Sequence, residues 1–219
     1  MGESTDTTVR EPDRVEPEGP GDERAERLAE ETLRRRAAAL EQIRKFGDPV
    51  LKSRASEIRS FGPELDREAQ RMIAIMRDAI GVGLAATQIG VMHRLLVFAA
   101  GPDATPTAVA NPRMEWLSDE TVVAEEGCLS LPRVAVDVER PLFARVSGVD
   151  VRGEPLEIEA AGLEARVLQH EIDHLDGVLM LDRAPRDQRK AALRALREGG
   201  QYSPSGEEPA EEDAPAPAS

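Results

Sequence analysis

Five apolar residues, Leu163, Val167, Leu168, Ile172 and Leu175, recur at the spacing of one face of a helix. Two of the chain's three histidines, His170 and His174, sit among them with Glu171 between. A helix with an apolar face must bury it, and histidines buried there without partners would be costly. The rest of the chain therefore has to cover a helix that carries imidazoles, and Gly177 is placed to stop it. Upstream, Leu65, Ala69, Met72, Ile73, Met76 and Ile80 predict a second amphipathic helix over 64–79. Runs at 94–98, 121–124 and 134–138 read as strands, and 143–151 and 156–159 flank a turn at Arg152-Gly153-Glu154-Pro155. Strands followed by a helix, without regular alternation, predict an α+β fold: antiparallel sheets around that central helix, with a C-terminal helix and disordered tails.

Composition sets limits on the chemistry. The 219 residues are 40% hydrophobic and 32% charged, which suits one domain with tails. The formal net charge of −14 is uneven: residues 1–40 carry −4 and residues 199–219 carry −5, leaving −5 for 41–198. Residues 1–40 read as an acidic, largely disordered arm with a helix-forming stretch at 22–40, 41–198 as the folded domain, and 199–219 as a disordered acidic tail. No apolar run is long enough to span a membrane, and residues 1–14 contain no secretory apolar stretch, so a cytoplasmic location is expected. The single cysteine, Cys128, excludes an internal disulfide and fits a reducing compartment.

His170 and His174 are four apart, so a helix puts both rings on one face within reach of one metal ion, with Glu171 beside it. A catalytic site of this kind has three protein ligands and one open position. The third is not a histidine six residues downstream, because position 180 is Met180. Glu198 lies in a polar, basic stretch and is a poor candidate. Cys128 could be a small buried hydrophobe, but its place after Gly127 at a strand end, flanked by carboxylates, looks more like a site.

Three segments together resemble peptide deformylases: Gly81-Val82-Gly83-Leu84-Ala85-Ala86-Thr87-Gln88, Glu126-Gly127-Cys128-Leu129-Ser130, and Gln169-His170-Glu171-Ile172-Asp173-His174. They stand in that family's order and spacing, and the similarity runs over about residues 42–182. The resemblance implies Cys128, His170 and His174 as metal ligands, one ion per chain, and native Fe2+. Sulfur with two imidazoles also suits Zn2+, Ni2+ or Co2+. It implies hydrolytic removal of the formyl group from N-terminal formylmethionine, with formate as product. Glu171 would carry protons, while the Gln88 amide and the Leu129 backbone N–H would stabilise the developing oxyanion. Gly83 would hydrogen-bond the substrate backbone, and Val82, Leu163 and Val167 would form the apolar pocket for the first side chain. Glu126, Ser130 and Arg140 match positions that support the metal loop. His93 matches no motif and reads as a surface histidine.

Partners follow from the same reading. The substrate is a nascent formylated polypeptide, and the basic helix 185–197 could dock on the ribosome, as in some family members. Two rivals are a zincin-type metallopeptidase with Glu198 as third ligand and a non-catalytic metal-binding domain with His93 as fourth ligand.

Overall fold

The computed structural model describes residues 20–101 and 104–206. Residues 1–19 of the arm and 207–219 of the tail, parts of the stretches predicted to be disordered, lie outside the described residues. The chain divides into two units, Met1–Arg34 and Arg35–Ser219. The first is described only as the beginning of helix α1 (Pro20–Glu41), whose side chains are exposed over 24–34 and which carries an Arg34–Glu30 pair one turn apart. Helix α1 thus spans the stretch 22–40 that the sequence marks as helix-forming.

The second unit contains α2 (Pro63–Asp78), β1 (Gly83–Ala85), β2 (Leu95–Phe98), β3 (Thr107–Leu117), β4 (Thr121–Cys128), β5 (Leu131–Pro141), β6 (Phe143–Val149), β7 (Pro155–Ala161), α3 (Gly162–Leu175), α4 (Met180–Arg183) and α5 (Arg186–Glu198). Five strands form one antiparallel sheet in the order β1-β2-β3-β6-β7, and β4 and β5 form a separate antiparallel hairpin. Helix α2 buries Leu65, Ala69, Met72, Ile75 and Met76 against β1 and β2. Helix α3 lies against the five-stranded sheet through Ala165, Val167, Leu168, Ile172 and Leu175 and also touches β5. It is the central element between the sheet and the hairpin, as the α+β expectation required. Helices α4 and α5 pack with β5 around Val136, Val138, Leu181 and Ala192.

The differences from the sequence reading have physical causes. Strand β3 is absent from that reading because Asn111-Pro112 interrupts its alternation. The sheet accommodates the pair by a register shift between Ala110 and Arg113, which spans it, and Asn111 takes φ +51°. Ile80 does not continue the apolar face of α2: that helix ends at Asp78, and Ile80 turns outward with φ +58° and 66% exposure. Leu163, counted on the buried face of α3, is likewise 55% exposed. The expectation of disorder from Gly199 onward does not hold for residues 199–206. Tyr202 exchanges backbone hydrogen bonds with Arg133 and Ala135 of β5, and its ring joins the cluster under α5. Gly177 ends α3 as the sequence suggests, and only glycine fits: φ is +75°, and a Cβ would lie 2.7 Å from the Lys52 carbonyl oxygen.

Candidate metal centre

Helix α3 supplies the two imidazoles from one face, one turn apart, with ring centroids 4.8 Å apart. The thiol comes from the end of β4, where the ladder shifts register between Gly127 and Cys128. A bulge re-aims the side chain it carries, and here it turns Cys128 toward α3. Cys128 Sγ lies 3.2 Å from His174 Nε2, which lies 3.2 Å from His170 Nε2. Among the described residues these three form the one cluster of metal-ligating side chains, with all ligand atoms within 4.8 Å of one another.

The donor set fits a small divalent cation. Ligand bonds of about 2.0–2.1 Å to nitrogen at tetrahedral angles would put two nitrogens about 3.3 Å apart, close to the 3.2 Å found. The tautomer of His170 is fixed as well. Its Nδ1–H donates to Glu126 Oε2 at 2.9 Å, leaving the Nε2 lone pair facing the cluster. Two buried polar atoms, Glu171 Oε2 and His174 Nδ1, have no hydrogen-bond partner among the described residues. For Glu171, that is the expected condition of a carboxylate whose partners are water and substrate.

The supporting charges are themselves buried. Burial opposes ionisation of Glu126, yet hydrogen bonds from Arg140 and His170 override it and hold the carboxyl well below the usual range. Arg140 is 3% exposed and donates Nε and Nη2 to Glu126 (2.6 and 2.9 Å) and Nη1 to Asp173 (2.9 Å). Arg140 thus forms a buried bridge between Glu126 and Asp173, in keeping with support of the metal loop. Burial also opposes ionisation of Cys128, but both imidazoles override it and hold the thiol well below its ordinary value. For His170, burial is outweighed by Cys128 and Glu126, which push the imidazole up. The two shifts share one cause, the thiol and the imidazoles favouring each other's charged forms, and a divalent cation would favour the thiolate in the same way. Burial pushes the Glu171 carboxyl up, against the pull of the two histidines.

Gln88 is 2% exposed on a 3-10 turn after β1, with its Oε1 accepting from Ala85 N at 2.9 Å. That bond orients its amide N–H groups toward Cys128 Sγ (3.6 Å) and Ser130 Oγ (3.3 Å). Ser130 is fully buried, and the Leu129 carbonyl accepts from Lys45 Nζ at 3.0 Å. The cluster opens onto a cavity of about 920 Å3 lined by Val82, Gly83, Gln88, Leu129, Leu163, Val167 and Glu171 among others. Cys128, His170 and Glu126 line it as well, whereas the buried His174, Ser130 and Arg140 do not. Gly83 has a local reason to be glycine, because a Cβ there would lie 2.9 Å from Glu171 Cδ and Cγ.

Neither rival ligand joins the cluster. Glu198 is exposed at the end of α5 and pairs with Arg194, and His93 is half-exposed with Nδ1 on Glu68. Three charged groups in the network escape the sequence reading. Asp173 lies inside the histidine pentapeptide. Arg166 lies four residues before His170, and Arg183 pairs with Asp173. The helical spacing of Arg166, His170 and Asp173 was the one available signal.

The model of the polypeptide deformylase family matches residues 40–190. A peptide deformylase of Thermotoga neapolitana is 48% identical over 142 residues, covering 65% of this chain and 85% of that one. Peptide deformylase 1 of Corynebacterium glutamicum is 45% identical over 161 residues, covering 73% and 95%. Among solved structures, the Synechococcus elongatus peptide deformylase in complex with actinonin superposes with a TM-score of 0.68 at 38% identity, covering 72% of this chain and 87% of that one. Arabidopsis thaliana peptide deformylase 1B with an inhibitor gives 0.69 at 32%, covering 71% and 88%. With this match over its central residues and the thiol and paired imidazoles gathered at one cavity, the chain belongs to the polypeptide deformylase family.

Proposed function

We propose that the chain performs its family's reaction, metal-dependent hydrolysis of the N-formyl group of new polypeptides, with Cys128, His170 and His174 holding the ion. The carrying observation is the approach of one sulfur and two Nε2 atoms to 3.2 Å spacing beside the unpartnered Glu171 carboxylate. A divalent cation held by Cys128, His170 and His174 would supply Lewis acidity for water and the formyl carbonyl. Fe2+ is the native ion, with Zn2+, Ni2+ or Co2+ compatible with the same donors.

The side chains do the rest. Glu171 accepts the proton of the attacking water and passes it to the departing amine, a role suited to a carboxyl whose burial makes it a stronger base than usual. The Gln88 amide, fixed through Ala85 N, and the Leu129 N–H stabilise charge on the formyl oxygen. Gly83 receives the substrate backbone, and Val82, Leu163 and Val167 receive its first side chain. Val82 and Leu163 are 45% and 55% exposed, so a ligand there covers apolar surface that water now covers.

Formate release from formyl-Met peptides by anaerobically purified protein, with metal analysis of the same sample, tests the whole reading. Glu171→Gln should keep the metal and lose about 10²–10⁴-fold in kcat, whereas Cys128→Ala should lose both. A Cys128→Ala protein that retains stoichiometric metal would sink the ligand assignment.

The reaction takes place in the cytoplasm, near the ribosome, through the exposed basic residues Arg186, Lys190 and Arg197 of α5. Arg183 is not part of that face, being paired with Asp173. Changing the three to Glu should abolish pelleting with ribosomes at low salt while leaving deformylation of short peptides intact. Equal pelleting of both proteins removes the ribosomal role.

A further inference from the structure

Glu126 has two arginines, and only Arg140 is explained by support of the metal loop. Arg166 donates Nη1 to Glu126 Oε1 at 2.7 Å and to the Val138 carbonyl at 2.9 Å, and Nη2 to the Val122 carbonyl at 2.7 Å. Its side chain is 13% exposed. The same residue stands between Leu163 and Val167 in the wall of the apolar cavity. Its guanidinium is committed to β4, β5 and Glu126, so the aliphatic stem is what remains to face the cavity. Glu126 Oε1 therefore receives Arg140 and Arg166, while Oε2 receives Arg140 and His170. One side chain spans the distance from the pocket wall to the carboxylate that orients a metal-ligating histidine.

We propose that Arg166 is a positioning residue that couples occupancy of the first-side-chain pocket to the alignment of His170. The proposal rests on the functional reading above. A long apolar first side chain packs against the stem and restricts its rotamers. The guanidinium then holds Glu126 in one orientation, and Glu126 holds the His170 ring. A substrate without that side chain leaves the stem unpacked on the cavity side, so that only its hydrogen bonds hold the guanidinium and the alignment loosens. Preference for the first residue is thus expressed in kcat as well as in KM, because a contact that orders the catalytic groups acts on the transition state.

The test compares wild type, Arg166→Met and Arg166→Lys, each loaded with the same divalent ion and checked for folding by thermal melts. Formate release from formyl-Met-Ala and formyl-Gly-Ala peptides gives kcat and KM separately, and transfer of the ion to a chelator gives a readout independent of turnover. Arg166→Met keeps an apolar wall and removes the head. It should leave KM for the formyl-Met peptide within about twofold, lower kcat about tenfold and speed ion loss about tenfold. Its kcat preference for Met over Gly should fall toward one. Arg166→Lys keeps a cation near Glu126 without the fork to Val122 and Val138 and should recover part of kcat and of ion retention. If Arg166→Met does not fold, a few-fold fall in kcat at unchanged KM in Arg166→Lys carries the same meaning. A change confined to KM, with ion release unaltered, makes Arg166 a plain wall residue and overturns the proposal. A Lys variant no better than the Met variant overturns it too. Wild type that binds no ion or releases no formate defeats the functional reading instead, so the two failures are distinguishable.

Discussion

At the scale of single residues, the site is a set of groups whose ordinary preferences are overridden by their neighbours. Glu171 is a buried carboxylate with one oxygen unpartnered, held opposite a glycine that leaves it room. Gly83→Ala should therefore act through Glu171. The added methyl displaces the carboxylate, which is flexible at its far end, so the protein should fold and bind metal normally while kcat falls about 10- to 100-fold. Metal content and formate release measured on one preparation separate this from a substrate-binding effect, which would appear in KM. The paired histidines were legible in the sequence because metal chemistry allows few residue types and the helix fixes their spacing, while Cys128 entered the proposed ligand set through the family resemblance. Arg166 and Arg183 were not, because an arginine reads the same on a solvated face and in a buried network; only its partners distinguish them.

At the scale of elements, the least legible piece was β3. Asn111 and Pro112 read as a break, yet the chain continues as a strand because Asn111 is clamped from the side. Its Oδ1 accepts from Ile58 N and its Nδ2 donates to Ile58 O, both at 2.8 Å, replacing ladder bonds with a side chain. With φ at +51°, the position also favours asparagine over most residues. Asn111→Ala should destabilise the protein by about 2–3 kcal/mol through two lost hydrogen bonds and backbone strain. Asn111→Gly should recover the strain but not the bonds. Urea midpoints of the three proteins check the ordering, and kcat per folded molecule should not change, since this strand lies outside the catalytic cluster. The segment 199–206 illustrates the same limit. Its composition is that of a tail, but Tyr202 supplies one side chain and two backbone bonds that match the free edge of β5.

At the scale of the whole molecule, the buried charges tie stability to pH. The Glu126 carboxyl is held well below its ordinary value of 4.5, whereas in the unfolded chain it titrates near that value. Below about pH 4.5 the unfolded state therefore binds a proton that the folded state refuses, and unfolding gains about 1.4 kcal/mol per pH unit from this group. Stability from Glu126 is fully present above that pH and is lost as pH falls through the acid range. Urea unfolding of metal-free protein at pH 6, 4.5 and 3 should show this decline, and Glu126→Gln should be less stable at pH 6 but less steep. Equal slopes would mean that other carboxylates dominate acid unfolding. The sequence by itself determined the helix that carries the histidines and the α+β class, because apolar periodicity and metal-ligand spacing are local properties of the chain, and it made the family legible through the resemblance of three segments. Only the tertiary structure decided that the thiol 42 residues before His170 meets both imidazoles. It also decided that Glu126 is locked between two arginines and that Gly83 makes room for Glu171. Those relations join residues far apart in the chain, and their energies depend on burial that no local pattern records.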